Sequence, residues 1–549
     1  MRSISPNQAP SLDKILRSLK PFPIDLLKIY PNSFCAKNGL LYGLIRTKKG
    51  KRLAVMGEKS HVLKDGFQGK CYHQASSLKV CNLSAENTES LMTLFPYTKP
   101  ASLREYPMTI GTGDRLGVAT PGHIRAIKKF EVHPVLAQQS ITENSQTGRN
   151  FVQVIQDAAW AVFQEDYQGG YGADADHLKS LQEVKSALDA GVSMVTLDLS
   201  EKIDLEVLHE PKESIDRKFE KEVDEGDAKV IFHLFLHKEF LFAGAHGNFT
   251  IQFNEESVKR NTLLFHQSLA FAEEVYELIR SRTRNRPLVD FEVCLDGMPS
   301  PTSPENHFFF ALELSHRGVH IQSLSPRFIG EFHKGIAYRG DGEAFRKQFY
   351  QHALIAEDYG NYKLSIHSGS DEFSLFPAIG ELSRGFLYLK IVGTSWLEAM
   401  RLIALTNPSL YREMHRFALS IFNEATRVDL VSTDLNRIPK PEDLQDQELP
   451  VLIDQEDARQ LLQITCGYLL NAKNEVGGNL FRDELYQTLI QYEEDYWSLL
   501  EKHVEKHLGA LGAAPQMATR ISAFAPAEER QKRGSQNEQE NPDKDFDLQ

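Results

Sequence analysis

The sequence predicts a (β/α)8 barrel of the TIM type, with an N-terminal α/β region before it and a C-terminal helical appendage after it. Two observations predict the barrel. Eight strand-like segments alternate with helical segments between residues 106 and 407, as the topology of such a barrel requires. Polar residues end many of these strands, whereas a doubly wound open sheet, the alternative with a similar repeat, would gather them at one switch point.

The strands and helices of the barrel follow from the spacing of apolar residues. Helices are predicted over 150–166 and 342–360, where apolar residues recur at helical spacing. The eight predicted barrel strands are 106–113, 130–139, 171–177, 193–200, 288–296, 319–328, 362–369 and 386–393.

Pattern and composition divide the chain into four predicted parts. Leu40–Arg46 and Lys51–Gly57 are predicted to pair around a turn. The stretch 201–265 is an insertion after the fourth barrel strand and is interpreted as a lid or a partner surface. The four parts are an N-terminal α/β region 1–105, the barrel 106–407 with that insertion, a helical appendage 408–508 and a disordered tail 509–549, where Ala, Pro, Gln, Glu and Lys dominate.

Charge and composition exclude several classes of protein. The net charge of −13 argues against a nucleic-acid-binding protein, which normally presents a basic face. No run of 18 apolar residues occurs, so no membrane span is predicted. The five cysteines lack CxxC spacing, and their odd number favours neither a disulfide framework nor a zinc ribbon. We therefore expect a cytoplasmic protein; the sequence predicts no oligomeric state.

Carboxylates and histidines mark the ends of four segments, each interpreted as a strand tip. Side chains alternate along a strand, so Asp174 and Asp176 share one face in Tyr171–His177. The other three segments end in the same way: Asp290–Asp296, which carries Glu292 and Cys294; Asn306–Phe310, which carries His307; and Tyr362–Asp371, which carries Lys363, Ser365 and His367.

These residues together predict a divalent-metal site. Imidazole and carboxylate ligands suit Mn, Fe, Co, Ni or Zn better than Ca or Mg. Any one of the histidines alone is more simply a hydrogen-bonded residue at a strand end, and no HxxxH or HExxH spacing occurs. Recurrence of polar residues at the same end of several strands favours the site.

Glu292 is predicted to point into the barrel without a lysine near it in sequence. Burial would then raise the pKa of its carboxyl group, which suits a general acid. Lys390 also faces inward and is interpreted as a Schiff-base lysine or, more commonly, a charge partner.

Several polar residues around the barrel are candidates for binding a substrate. The GTGDRLG segment offers backbone amides to an anion and places Arg115 for a carboxylate, although a tight turn explains it equally well. It fails the dinucleotide fingerprint, because Leu116 stands where the last glycine belongs. The predicted substrate-binding residues are Asp114, Arg115, Gln138, Gln139, Arg149 and Ser368.

The motifs together resemble the tagaturonate epimerase family of hexuronate catabolism, in the same order through most of residues 106–440. They are GTGDRLG, AQQS with TGR behind it, FQE with YGADADH, TSP with His307 behind it, RFIGE, SIHSGSD and GTSWLEA.

The resemblance implies a metal-dependent epimerase with a TIM-type barrel that interconverts D-tagaturonate and D-fructuronate. It assigns Asp176 as proton acceptor and Glu292 as proton donor. It further implies that His177, His307 and His367 hold the metal.

The two sugar acids differ at a carbinol carbon one step beyond the position next to the ketone, whose C–H the carbonyl does not acidify. We therefore expect a retro-aldol route, in which a C–C bond breaks and re-forms from the other face. A lysine-dependent aldolase using Lys390 or Lys363 is a second hypothesis. A sugar-acid-binding protein without catalysis is a third.

Overall fold

The protein is described by a computed structural model over residues 12–516, except 75, 285–287, 368–371, 392 and 428–430. The strands are β1 Leu26–Lys37, β2 Leu40–Thr47, β3 Gly50–Gly57, β4 Gly69–His73, β5 Ser77–Cys81, β6 Met108–Gly111, β7 His133–Ser140, β8 Gly172–Leu178, β9 Met194–Asp198, β10 Glu239–Gly244, β11 Gly247–Gln252, β12 Asp290–Cys294, β13 Ser323–Ser325, β14 Lys363–His367 and β15 Leu387–Lys390.

Helices separate most of these strands and form the C-terminal region. They are α1 Leu12–Leu19, α2 Lys59–Val62, α3 Ala85–Leu94, α4 Thr120–Ile127, α5 Ile141–Thr147, α6 Phe151–Gln164, α7 Leu181–Ala190, α8 Lys212–Glu222, α9 Glu225–Phe235, α10 Glu255–Thr283, α11 Pro304–His316, α12 Gly342–Asp358, α13 Phe376–Leu382, α14 Thr394–Thr406, α15 Pro408–Ala425, α16 Glu456–Ile464, α17 Cys466–Asn471, α18 Arg482–Gln491 and α19 Glu493–Ala510. Among the described helices, none combines the length and apolar character that crossing a bilayer requires.

Eight parallel strands close the barrel in the order β12-β13-β14-β15-β6-β7-β8-β9. Each of the eight strands predicted from the sequence overlaps one of them, which confirms the predicted fold class. Both helices singled out in the sequence also form, as α6 and α12. The polar ends of the strands therefore meet at one end of the barrel, called here the barrel mouth.

The N-terminal region forms a separate antiparallel sheet of order β1-β2-β3-β5-β4. Its β2 and β3 pair from Leu41 opposite Met56 to Thr47 opposite Gly50, as predicted. One face of this sheet packs on helices of the barrel and of the C-terminal region in a shared apolar cluster that includes Leu53, Trp160 and Trp497.

The segment interpreted as a strand tip at Asn306–Phe310 is helical, because it lies inside α11. Local sequence explains the difference. Ser303 caps the helix by accepting a hydrogen bond from the Asn306 backbone amide, and Pro304 occupies the first turn, where its missing N–H costs nothing. The apolar run that looked like a strand, Phe308–Phe310, is fully buried around this helix.

The insertion between β9 and β12 lies on the outer wall of the barrel. Its two-stranded hairpin, β10 and β11, packs aromatic rings on the outer helices: Phe242 lies 5.4 Å from Phe308 and 5.5 Å from Tyr359 between ring centroids. At the tip of the hairpin, the His246 backbone amide donates to the Tyr350 hydroxyl group. This placement does not support the interpretation of the insertion as a lid.

The C-terminal helices instead cover loops at the barrel mouth. The Tyr486 hydroxyl donates to Leu116 O, and the Trp497 indole donates to Val118 O, both in the loop after β6. Arg459 on α16 donates to Gly335 O in the loop after β13. Side chains more than 100 residues downstream therefore fix the loops that surround the strand ends.

The predicted domain borders stay predictions. Two apolar clusters each combine residues from more than one predicted part of the chain, so packing does not mark the borders. The predicted tail from residue 509 lies outside the described residues from 517 onward. Before that, α19 ends at Ala510, and Pro515 forms an antiparallel bridge with Phe130 beside the barrel.

A buried carboxylate joins the N-terminal sheet to the last helix. Glu493 on α19 accepts hydrogen bonds from Lys28 at 2.7 Å, Tyr30 at 3.1 Å and Arg46 at 2.5 Å. Its side chain is 9% exposed, whereas that of the neighbouring Glu494 is 54% exposed. The two adjacent acids thus differ in burial while sharing Lys28 as a partner.

Replacing Glu493 by Ala is expected to destabilise the protein by about 3 kcal/mol, because it leaves the largely buried Arg46 without its counter-charge and the buried Tyr30 hydroxyl group without its acceptor. The matched variant Glu494→Ala is expected to cost less than about 1 kcal/mol, because exposed ion pairs contribute little. Denaturant unfolding of both variants measures the difference. Equal losses would show that Glu493 does not join the two regions.

Candidate active site

The barrel mouth gathers acidic and basic side chains from β8, β12, β14 and β15. Strand alternation turns Asp174, Asp176, Glu292 and Lys390 into the barrel, where each is at most 8% exposed. The apolar residues between them, Ala175 and Val293 among others, pack outward against the helices. The predicted alternation of side chains along the strands therefore places these charged groups inside the barrel mouth.

Four side chains nearer the opening of the barrel form a cluster that resembles a metal-binding site. One potential ligand atom each of His177, Cys294, Asp296 and His367 lies within 4.8 Å of the other three. Asp296 Oδ2 is 2.8 Å from His367 Nδ1 and 3.9 Å from His177 Nε2. Ligand atoms about 2 Å from one ion are themselves about 3–4 Å apart. The donor set of two imidazoles, one thiol and one carboxylate fits a transition-metal ion.

An irregularity at the end of β8 places two consecutive residues in the site. His177 has a φ of +55°, and the pairing of β8 with β9 shifts register between Ala175 and Leu178. In a regular strand Asp176 and His177 would face opposite sides. The bulge turns His177 back, so that its Nδ1 lies 3.0 Å from Asp176 Oδ1.

Each cluster histidine has a carboxylate on its second ring nitrogen. His177 meets Asp176 through Nδ1 and faces the cluster with Nε2. His367 meets Glu292 through Nε2 at 2.8 Å and faces the cluster with Nδ1. This arrangement is the one that orients histidine ligands in metalloproteins, because the carboxylate fixes the ring and its tautomer.

Lys390 lies between the two histidine-bound carboxylates. Its Nζ is 2.7 Å from Asp176 Oδ1 and 2.8 Å from Glu292 Oε1. It also reaches Asp174 Oδ2 at 3.2 Å and the Thr196 hydroxyl oxygen at 2.9 Å. The ammonium group is thus surrounded by carboxylates and is 3% exposed.

The prediction of a raised pKa for Glu292 is wrong. Burial raises the pKa of this carboxyl group, but the charge of Lys390 and the hydrogen bond from His367 outweigh burial and bring the pKa down to about 2. The neutralising lysine is far away in sequence and adjacent in space. Glu292 is therefore ionised at neutral pH.

The same charges act on the basic groups. Burial lowers the pKa of Lys390, yet Asp174, Asp176 and Glu292 raise it well above its usual value. Burial likewise lowers the pKa of His177, and Asp176 raises it well above the ordinary range. With His177 and His367 neutral, as metal binding requires, these three carboxylates and Asp296 outnumber the lysine four to one, and a divalent cation would balance the negative surplus.

His307, one of the three predicted ligands, is not part of the cluster. It lies on α11, where its Nδ1 is 2.8 Å from His352 Nδ1 and its Nε2 is 2.7 Å from the Tyr362 hydroxyl group. Burial holds the pKa of His307 well below its usual value and lowers that of His352 to about 3. Cys294 and Asp296 occupy the place expected for a third histidine.

Of the predicted substrate-binding residues, Gln138 reaches the site. Its Nε2 donates to Asp176 Oδ2 at 3.0 Å. Its Oε1 is buried and has no hydrogen-bond partner among the described residues. A substrate hydroxyl group is a suitable donor for this oxygen.

The other candidates are held by the loops of the barrel mouth. Asp114 accepts hydrogen bonds from the backbone amides of residues 116, 117, 119 and 120, so it shapes its own loop. Arg115 is paired with Glu143, and Arg149 contacts Gln139 Oε1 at 3.4 Å. Ser368 lies outside the described residues.

The sequence analysis did not assign Asp296 or Cys294 to the metal site, and it described Lys390 as an inward-facing lysine or charge partner without identifying its partners. The alternation in Asp290–Asp296 carried the signal for the first two, because both share a strand face with Glu292. For Lys390, the sequence indicated only that the side chain faces inward. Its three carboxylate partners come from strands more than 90 residues earlier.

Comparison with known proteins gives consistent results. The sequence model of a family described as tagaturonate epimerase matches residues 30–511. The chain is 37% identical over 487 residues to the tagaturonate/fructuronate epimerase of Thermotoga maritima, covering 88% of this chain and 97% of that protein.

Solved structures agree with the sequence comparison. Native and glycerol-complexed crystal structures of fructuronate-tagaturonate epimerase UxaE from Cohnella laeviribosi superpose with a TM-score of 0.84 at 42% identity. The match covers 91% of this chain and 99% of that one.

The buried His307–His352 pair is expected to make stability fall in mild acid. Unfolded histidine takes up a proton near pH 6.5, whereas folded His352 does so only near pH 3. Between these values the unfolded state binds more protons, so the free energy of unfolding falls as the pH decreases. The variant His352→Asn, which does not titrate, should show a shallower fall between pH 6.5 and 4 in urea titrations. Parallel curves would contradict a neutral buried His352.

Proposed function

This chain belongs to the tagaturonate epimerase family, and we propose that it interconverts D-tagaturonate and D-fructuronate, which makes it an isomerase acting on a small sugar acid. The observation that carries the proposal is the convergence at the barrel mouth. His177 and His367 lie with their ring centroids 4.9 Å apart, and Asp176 and Glu292 lie directly beside them.

We propose that His177, His367 and Asp296 hold a divalent cation, with Cys294 as a fourth donor. Mn, Fe, Co, Ni and Zn all accept this mixture of nitrogen, oxygen and sulfur ligands. When bound, such a cation supplies Lewis-acid stabilisation of negative charge on a substrate oxygen. The unbalanced carboxylates at the site support a resident cation independently of the family.

The chemistry proposed for the substrate is retro-aldol cleavage followed by re-addition. Removal of the proton from the carbinol hydroxyl group lets the adjacent C–C bond break, with its electron pair moving towards the ketone to give an enediolate. The aldehyde half then turns over. The enediolate carbon then attacks the other face of the aldehyde, which re-forms the C–C bond and turns the aldehyde oxygen into an alkoxide. Protonation of this alkoxide gives the epimer.

Asp176 is the proposed acceptor of the hydroxyl proton. Burial raises the pKa of this carboxyl group, but His177 and Lys390 bring it well below its usual value, so the group is ionised and ready to accept. Gln138 fixes its second oxygen. A bound hydroxyl group beside the buried Gln138 Oε1 would lie close to this carboxylate.

Glu292 is the proposed donor. Its side chain is fully buried, and its second oxygen accepts a hydrogen bond from Ser323. Because its pKa is about 2, it must first receive a proton within the site before it can return one. The proton released by the substrate is the available source, since the overall reaction neither consumes nor releases protons.

The structure disfavours the two other hypotheses. A Schiff base needs a neutral amine, and the carboxylates around Lys390 keep it charged. Burial lowers the pKa of Lys363 to about 8, but this lysine contacts Leu103 O and Thr109 from the opposite end of its strand to His367. Three carboxylates around one buried lysine exceed what binding without catalysis needs.

We propose a cytoplasmic location. All five cysteines are free, including Cys294 in the cluster, which a reducing compartment would preserve.

Metal binding is expected to depend on the cluster and not on His307. Asp296→Ala and His367→Ala should weaken binding of Zn²⁺ or Mn²⁺ to the metal-free protein by at least about 100-fold. The matched variant His307→Gln removes a buried histidine outside the cluster and should bind as the parent does. Competition with a chromophoric chelator measures all three. Loss of binding in His307→Gln alone would overturn this ligand set.

Turnover of D-tagaturonate by the metal-loaded protein tests the function itself. Asp176→Asn should reduce kcat by at least about 100-fold, because it removes the proton acceptor. Asp290→Asn serves as the matched control, because Asp290 is also a buried carboxylate but lies at the start of β12, at the end of the barrel opposite the site. With Glu292→Gln, an aldehyde-trapping reagent should capture a three-carbon fragment. Solvent deuterium entering the epimerised carbon without any trapped fragment would contradict C–C cleavage.

A further inference from the structure

We propose that Lys390 is a positioning residue that closes a ring of side chains around the metal-ligand cluster. The inference rests on the proposed function, because it concerns the histidines proposed there as ligands. The ring runs from one cluster histidine to its carboxylate, through the ammonium group, and on to the second carboxylate and second histidine.

Each of the four links from His177 to His367 is a direct contact, and the two imidazole rings, with centroids 4.9 Å apart, close the ring at the cluster. His177 Nδ1 to Asp176 Oδ1 is 3.0 Å, and Asp176 Oδ1 to Lys390 Nζ is 2.7 Å. From Lys390 Nζ to Glu292 Oε1 is 2.8 Å, and from there to His367 Nε2 is again 2.8 Å. The same oxygen of each carboxylate serves both its histidine and the lysine, so moving the lysine would move both histidines.

The barrel wall holds Lys390 in this place. Its strand β15 pairs with β14 on one side and β6 on the other, with Lys390 opposite His367 and Gly111. The hydroxyl oxygen of Thr196 on β9 contacts its Nζ from across the barrel. The strands that carry the ring are joined by hydrogen bonds of the closed sheet, so the ring connects points that are already fixed.

Asp174 gives the ammonium group a third carboxylate that belongs to neither histidine. Tyr388 and Thr196 each donate a hydrogen bond to Asp174, at 2.9 Å. Asp174 therefore anchors Lys390 from below while the ring carboxylates hold it from the sides. This arrangement separates two roles of the lysine, which are balancing charge and setting the spacing of the two ring carboxylates.

Opposite effects on metal affinity and turnover follow from these roles. Removing the ammonium charge leaves the site more negative, so a divalent cation should bind more tightly. The same change opens the ring and releases both histidine–carboxylate pairs, which should slow the chemical step. A lysine that merely stabilised the fold would lower affinity and activity together.

The experiment compares Lys390→Met with the parent in the full-length protein. We expect kcat on D-tagaturonate to fall about 10- to 100-fold with a smaller change in KM. We expect the dissociation constant for Zn²⁺ or Mn²⁺, measured on metal-free protein by chelator competition, to fall about tenfold. An unchanged kcat, or weaker metal binding, would overturn the proposal.

A second variant covers the case in which Lys390→Met does not fold. Asp174→Asn combined with Lys390→Met removes one buried negative charge together with the positive one, so the charge balance is kept. Because the ring stays open, kcat should remain about 10- to 100-fold below that of the Asp174→Asn single variant. Equal activity of these two variants would overturn the proposal. Absence of turnover in the parent would instead count against the proposed function.

Discussion

The buried contact between one ammonium group and three carboxylates constrains the rest of the site. Taking charges out of water is expensive unless each meets a counter-charge in good geometry. Lys390 supplies that counter-charge to Asp174, Asp176 and Glu292 together. The barrel must therefore close with β15 facing β8 and β12, and any cation at the cluster is held by histidines whose orientation depends on this buried charge network.

Sequence periodicity was sufficient for the fold and for part of the site. Strand alternation carries Asp176, Glu292 and His367 to the barrel mouth, because it depends only on neighbours in the chain. Contacts between distant strands are not encoded locally, so neither the carboxylate partners of Lys390 nor the low pKa of Glu292 follows from the sequence. The strand-tip placement of His307 is wrong for a different reason: its apolar surroundings suit a strand and a buried helix equally, and a proline in the first turn decides for the helix.

The insertion and the C-terminal helices have roles that differ from the sequence-based interpretation, in which the insertion was a lid or a partner surface. The insertion after the fourth strand covers the outer helices with aromatic side chains. The C-terminal helices hold the loops after β6 and β13 through backbone carbonyl groups, at Leu116, Val118 and Gly335. Hydrogen bonds to carbonyl groups fix loop shape whatever the side chains are, which lets substrate-contacting residues vary on a fixed frame.

The bulge at the end of β8 makes the site sensitive to residue number as well as residue identity. Two neighbouring residues, Asp176 and His177, act on the same side of a strand only because one extra residue is accommodated there. A shortening of the chain by one position would swing the imidazole towards the surrounding helices while leaving every functional residue type present. An intact set of motifs in a relative is therefore insufficient evidence of a working centre unless the spacing through this corner is also kept.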